Sequence, residues 1–258
     1  MMMRRILFMT IALVVLLGAG LAKAEVTQHG DVRLDFNGRF TPKILPRERD
    51  APVSVQIGGA VSSVHGGRPP GLRQISIAVN RYSKVYTRGL PRCEPGMLQS
   101  TSTAQALERC RPALVGTGTF GAIVAFSNDQ FPVEGRILAF NSGSARHPRL
   151  LLHIYNANPA KTTIVLKFAI SHPAKGDFGT VFTAQIPEIA SDLGYVTDLS
   201  LHFDRRYRYA GKPRSFLSAR CAAPAGFGGG PFAFAKGKFE FANGQRLSII
   251  LSRVCQVR

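Results

Sequence analysis

The six histidines of this 258-residue chain, His29, His65, His147, His153, His172 and His202, stand singly along it. Zinc chemistry on a helix needs two imidazoles one turn apart, and no HExxH is present. A GxSxG elbow and a glycine-rich loop ending in Gly-Lys-Ser or Gly-Lys-Thr are missing too, so the α/β-hydrolase and P-loop chemistries have no carrier here. His153 falls between Leu151 and Tyr155 in an alternating segment, where a satisfied or surface imidazole is expected rather than a ligand. The segment Ser142-Gly143-Ser144-Ala145-Arg146-His147 offers hydroxyls and a histidine at loop spacing, without a partnered acid. Gly228-Gly229-Gly230 leads into a strand pattern, so it lacks the helix N-terminus that would complete a phosphate cradle. Nothing in these patterns calls for a cofactor or a metal ion.

Glycosidase chemistry would need two carboxyl groups roughly 5 to 9.5 Å apart. The candidates are Asp177, in Lys175-Gly176-Asp177-Phe178-Gly179, and Glu188, although turn and loop duty accounts for both. Tryptophan is absent, and with it the indole face that commonly stacks on sugars. A different chemistry is offered by Asp204-Arg205-Arg206-Tyr207-Arg208-Tyr209-Ala210-Gly211-Lys212-Pro213-Arg214, in which five cations and two tyrosines accompany one acid. Basic residues interleaved with aromatics suit a nucleic-acid groove or the outer face of a strand. Parity decides for the strand: Leu199, Leu201 and Phe203 continue into Arg205, Tyr207 and Tyr209, so Arg206 and Arg208 point outward. The stretch is therefore read as a strand end with a basic outer face, and nucleic acid is not expected as the evolved partner.

Where such a face would work follows from the N-terminus. Arg4 and Arg5 precede an apolar run from Ile6 to Leu21, and Ala22-Lys23-Ala24 follows. That order of charge, short apolar run and small residues is the plan of a cleaved secretory leader over residues 1–24. The run is shorter than the ~20 apolar residues of a spanning helix, and no second one occurs later, so no transmembrane segment is expected after leader removal. Of 33 basic residues three leave with the leader, and against 15 acids the remaining chain carries +15. In an exterior setting such an excess attracts acidic wall polymers or anionic lipid headgroups.

Four cysteines, Cys93, Cys110, Cys221 and Cys255, all lie in the exported part. In an oxidising compartment an even count reads as two disulfides, and the local pairing Cys93 with Cys110 and Cys221 with Cys255 is preferred over the two alternatives. The elements that must carry these groups are strands. Val32, Leu34 and Phe36 share one face, as do Val53, Val55 and Ile57, and then Ile75, Ile77 and Val79. Both parities are apolar in Leu150-Leu151-Leu152-His153-Ile154-Tyr155, which predicts a strand covered on both sides. Ser102 and Gln105 form a capping-box pattern that starts one short helix before Cys110.

Near the C-terminus, a three-residue Ala242-Asn243-Gly244 loop pairs Phe239 with Leu247 and keeps the apolar groups on one face. Phe232 and Phe234 have the opposite parity to Phe239 and Phe241, which places a bulge near Gly237. The reading is all-β: an antiparallel β-sandwich or jelly roll with one short helix and two disulfides, in a single domain over residues 25–258. Two smaller sandwiches divided near Arg111-Pro112 are the alternative.

The words Leu45-Pro46-Arg47, Gly89-Leu90-Pro91-Arg92-Cys93, Ala106-Leu107-Glu108-Arg109-Cys110, the Arg214 to Cys221 run and Phe239-Glu240-Phe241-Ala242-Asn243-Gly244 resemble an uncharacterised group of secreted actinobacterial-type proteins. The likeness runs from about Leu45 to the end. It implies export and a β-rich fold and carries no activity to any residue. The function expected from sequence is thus a secreted, non-catalytic protein of the cell envelope or exterior. It would touch anionic polymers through Arg205, Arg206, Arg208, Lys212 and Arg214. A secreted hydrolase of envelope polysaccharide using Asp177 and Glu188, and a structural surface protein with no dedicated ligand, are the alternatives.

Overall fold

Wherever residues alternate with period two, strand forms. A computed structural model describes residues 25–126, 129–158, 160–187 and 194–258; residues 1–24, where a leader is expected, and Glu188 lie outside them. The described residues open with β1 (Glu25–His29), β2 (Val32–Thr41), the short β3 (Ile44–Leu45) and β4 (Ala51–Pro52), then β5 (Ser54–Ser63), β6 (Leu72–Asn80) and β7 (Ser83–Val85). Two short helices, α1 (Pro95–Leu98) and α2 (Thr103–Cys110), interrupt the strands. They are followed by β8 (Leu114–Phe126), β9 (Asp129–Gly143), β10 (Pro148–Asn156), β11 (Thr162–Ser171), β12 (Phe178–Gln185) and β13 (Gly194–Phe203). The last elements are β14 (Arg206–Tyr209), β15 (Lys212–Ser215), β16 (Leu217–Ala219), β17 (Gly229–Phe241) and β18 (Arg246–Val257).

Thirteen of these strands form one sheet in the order β1-β2-β5-β13-β8-β9-β10-β11-β12-β6-β17-β18-β3, drawing on the chain both before and after Arg111-Pro112. The β18–β3 pair is parallel, and the other neighbours are antiparallel. The sheet curls until β1 and β2 lie against β18. Side chains close this seam. Arg253 Nη1 stands 2.6 Å from Glu25 Oε1, Arg253 Nε donates to the Gly38 carbonyl at 2.6 Å, and Gln245 Nε2 donates to the His29 carbonyl at 3.3 Å.

The all-β class and both bridges are as the sequence indicates, with Cα atoms 5.5 Å apart for Cys93–Cys110 and 5.8 Å for Cys221–Cys255. Beside the seam, opposite walls of the curled sheet pack like sandwich layers. Phe36 meets Phe239 edge-on at 5.9 Å, and Phe40 meets Phe232 and Phe234 at 5.7 and 5.6 Å. A second cluster, with Val115, Ile137, Leu152 and Phe168, lines the far wall. The outer face of β9 and β10 is covered as well: Leu138, Phe140 and Leu151 pack under Leu98, Ala106 and the Cys93–Cys110 bridge. This accounts for the two apolar parities of β10.

Helix α2 starts with the expected capping box, Ser102 Oγ accepting from Gln105 N and Gln105 Oε1 accepting from Ser102 N. The single turn α1, opened by Pro95, adds to the one helix expected. The last hairpin has its three-residue loop, with Gly244 at φ +80° and Phe239 opposite Leu247. The bulge, however, falls between Ala233 and Ala235 rather than near Gly237. Parity requires an extra residue somewhere between Phe232 and Phe239. It sits at Phe234, which is thereby turned inward against Phe40.

Candidate functional site

Away from the seam the inner faces of the two walls do not meet. Ile57, Ile75, Ile77, Ala122, Ile164 and Leu199 all point inward, yet each is only half-buried. Between them lies a cavity of about 420 Å³ whose walls are the aliphatic rows of β5, β6, β8, β10, β11 and β13. Along β10 the lining runs from Leu150 to Asn156, six residue steps or ~20 Å at ~3.3 Å each.

One end of this space is closed. Strands β4, β16 and β7 form a three-stranded sheet across it, carrying Phe216, 1% exposed, and Leu217 against the inner wall. Tyr86 N donates to the Phe216 carbonyl (2.9 Å) and Val53 N to the Leu217 carbonyl (3.1 Å) within the plug, while Phe216 N donates to the Arg205 carbonyl (2.8 Å) just past the end of β13. The other end is a rim formed by Pro69-Pro70-Gly71, Ile154, Asn156, Thr162, Ile186 and Tyr195. Towards this end β11 and β12 diverge, since their ladder consists of Ala169 with Thr183, Ile170 with Phe182 and Ser171 with Val181.

The charged residues on the lining, among the described residues, are Lys84 and Arg220 at the plug, and both heads are held at the surface. Lys84 Nζ lies 2.8 Å from Asp50 Oδ2, an ion pair that raises the lysine pKa. Arg220 Nη1 donates to the Glu48 carbonyl at 3.2 Å, and its guanidinium stands 5.1 Å from the Tyr82 ring. Burial raises the Tyr86 phenol, whose hydroxyl donates to Asp50 at 3.1 Å. The middle of the cavity therefore presents hydrocarbon alone.

The basic stretch singled out in the sequence is brought together as a separate hairpin at the plugged end. β14 pairs with β15, Tyr207 opposite Arg214 and Arg208 opposite Pro213, across an Ala210-Gly211 turn with φ +49° and +73°. Arg206, Arg208, Lys212 and Arg214 are exposed. Arg205 is half-buried and reaches the Pro112 carbonyl at 3.5 Å. Tyr207 packs inward, as parity indicates, and donates its hydroxyl to the Arg88 carbonyl at 3.0 Å. Tyr209, which parity places on the same inward row, lies instead on the surface at the hairpin end, its ring over Gly89, whose missing side chain leaves room for it.

Other sequence candidates scatter. Asp177 is exposed in the β11–β12 loop, its carbonyl accepting from Arg81 N at 2.8 Å. His153 is fully buried under α1 and α2, with Nε2 3.0 Å from both Oγ1 and O of Thr101, and burial lowers its pKa. A serine, a histidine and an aspartate do meet at the β1–β2 tip. There Asp31 Oδ1 lies 2.9 Å from His65 Nδ1, and Ser63 Oγ donates to Asp31 Oδ2 at 2.5 Å. The serine thus bonds the acid instead of the imidazole, which is the wrong order for a nucleophile and its base. No cluster of three or more potential metal ligands occurs among the described residues, and none of their helices is long and apolar enough to cross a membrane.

The cavity is what sequence reasoning missed. Alternation marks the inward rows but carries no signal for how far apart two inward rows stand. Comparison with protein-family models, with curated proteins and with solved structures returns no match to this chain.

Proposed function

We propose that this is an exported, non-catalytic protein of the cell envelope or exterior that holds one hydrophobic molecule inside its curled sheet. The observation that carries the reading is the cavity. Its 420 Å³ falls in the ~300–1,000 Å³ range of small-molecule sites. The aliphatic side chains along its middle lack packing partners on their inward side, contacts that a guest would restore. Water is a poor occupant because the aliphatic walls give it no hydrogen-bond partners. A hydrophobic guest gains the transfer free energy that those walls would otherwise forgo. The two disulfides agree with an oxidising compartment.

The test is titration of the purified protein with N-phenylnaphthylamine, whose fluorescence rises in hydrocarbon. One saturable equivalent, lost in the cavity-filling Ile77→Trp variant, is expected. Absence of saturable binding by the folded wild type would overturn the reading.

A second reading concerns the plugged end, where Arg206, Arg208, Lys212 and Arg214 stand on one exposed hairpin. In it the hairpin contacts acidic wall polymer and holds the protein at the envelope, with the rim at the opposite end of the molecule. Binding to a poly(glycerol phosphate) chain would weaken linearly in log-log form as salt rises. Arg206→Ser with Arg208→Ser would reduce both affinity and slope.

A further inference from the structure

Resting on the cavity reading, we propose that the ligand is a single-chain amphiphile that enters tail first at the rim where β11 and β12 diverge. Its hydrocarbon chain then runs towards Phe216, and its polar head stays beside Thr162 and Tyr195. Four features of the molecule point the same way.

The space is as long as a strand. The lining of β10 from Leu150 to Asn156 spans ~20 Å. An extended chain advances ~1.2 Å per bond, since a residue of three bonds reaches ~3.6 Å, so this length takes on the order of 16 carbons. That length suits one extended hydrocarbon chain laid along β10.

The middle of the cavity offers no charge and no hydrogen bond, so it accepts only a hydrocarbon segment without desolvating a polar group. One end is stoppered by the β4-β16-β7 plug and its backbone hydrogen bonds. The opposite rim is where polar side chains join the lining. Asn156 is folded onto its own turn, with both side-chain positions engaged by Asn158. Thr162 Oγ1 donates to the Ala160 carbonyl at 3.3 Å and keeps its lone pairs for an incoming donor. Tyr195 adds a phenol, half-buried at the start of β13.

The experiment is displacement of bound N-phenylnaphthylamine by two homologous series, n-alkanols and n-alkanoates, from octyl to eicosyl. Affinity should rise about fourfold per added methylene, then level off near 16 carbons, the length derived above. Both head groups should behave alike within a few-fold, because the head sits at the solvent. Thr162→Val with Tyr195→Phe should weaken alkanol binding about two- to tenfold while leaving the dye unchanged. The substitution Leu199→Trp, midway along β13 between Tyr195 and Phe203, should move the plateau to shorter chains. Should that variant fail to fold, the milder Leu199→Phe provides the same reading.

Dye binding combined with no chain-length dependence, or with tighter binding of two-chain lipids, would overturn this proposal while leaving the cavity reading intact. Failure of the dye to bind removes both. Unchanged alkanol affinity in the rim variant would overturn the tail-first orientation.

Discussion

Ala122→Leu separates a real cavity from a packed core by the sign of its effect. Ala122 lies on the inner face of β8, opposite Val133 and Val196 in the ladders, and its side chain is half-buried on the cavity wall. In a close-packed interior three extra carbons would force neighbours apart and cost about 1–3 kcal/mol. Into the void they go without displacement and remove apolar surface from water, a gain of about 2 kcal/mol at ~0.8 kcal/mol per methylene. For a chain of this size that is an upward shift of about 4–8 °C in Tm. Differential scanning calorimetry on ligand-free wild type and variant reads it, and N-phenylnaphthylamine affinity should fall in parallel. A Tm several degrees below wild type would refute the argument, because the neighbouring rows would then already fill the space.

Other expectations follow from the same geometry. The Asp31 pKa is lowered to about 2 by the Ser63 hydroxyl and then the His65 backbone N–H. A depressed carboxylate contributes stability above its unfolded value of ~3.9, lost as pH falls from there through about 2; Asp31→Asn should flatten that limb of an acid-denaturation curve. His153 is kept neutral by burial, so the unfolded chain takes the proton first, at ~6.5. Its contribution is complete above that pH and falls below it, and His153→Gln should abolish the slope between neutrality and mild acid in urea titrations. Cys93–Cys110 and Cys221–Cys255 close loops of 17 and 34 residues, worth about 3 and about 4 kcal/mol through the unfolded chain. Paired Cys→Ser variants should lose those amounts in denaturant titrations, with the larger loss at Cys221–Cys255. Ser102→Ala removes one side of the capping box and should cost about 1 kcal/mol in the same assay. Arg206→Ser with Arg208→Ser should leave Tm within about 1 °C, since exposed charges contribute little.

Sequence made the inward rows readable because a strand alternates its side chains whatever lies opposite. Val32, Leu34 and Phe36, the three-residue turn at Gly244 and the doubly covered β10 all follow from that local rule. Arg206 and Arg208 could be placed outside, and Tyr207 inside, for the same reason. The bulge at Phe234 was legible as a parity mismatch but not as a position, because any residue before Phe239 would restore the phase. Curling was not legible. The meeting of Glu25 with Arg253 joins β1 to β18 through two side chains that no local pattern couples. The cavity follows from that curl, since Ile57 and Ile77 read as core residues whether the facing wall touches them or stands apart.

The most direct measurement is a crystal structure of the protein with hexadecanoate brominated at its terminal carbon, with the bromine located by anomalous scattering. The account predicts one bromine peak per chain inside the curled sheet near Phe216, with the carboxylate at the Thr162 and Tyr195 rim. A bromine peak on the outer surface, or an interior filled by rearranged side chains with no chain density, would contradict it.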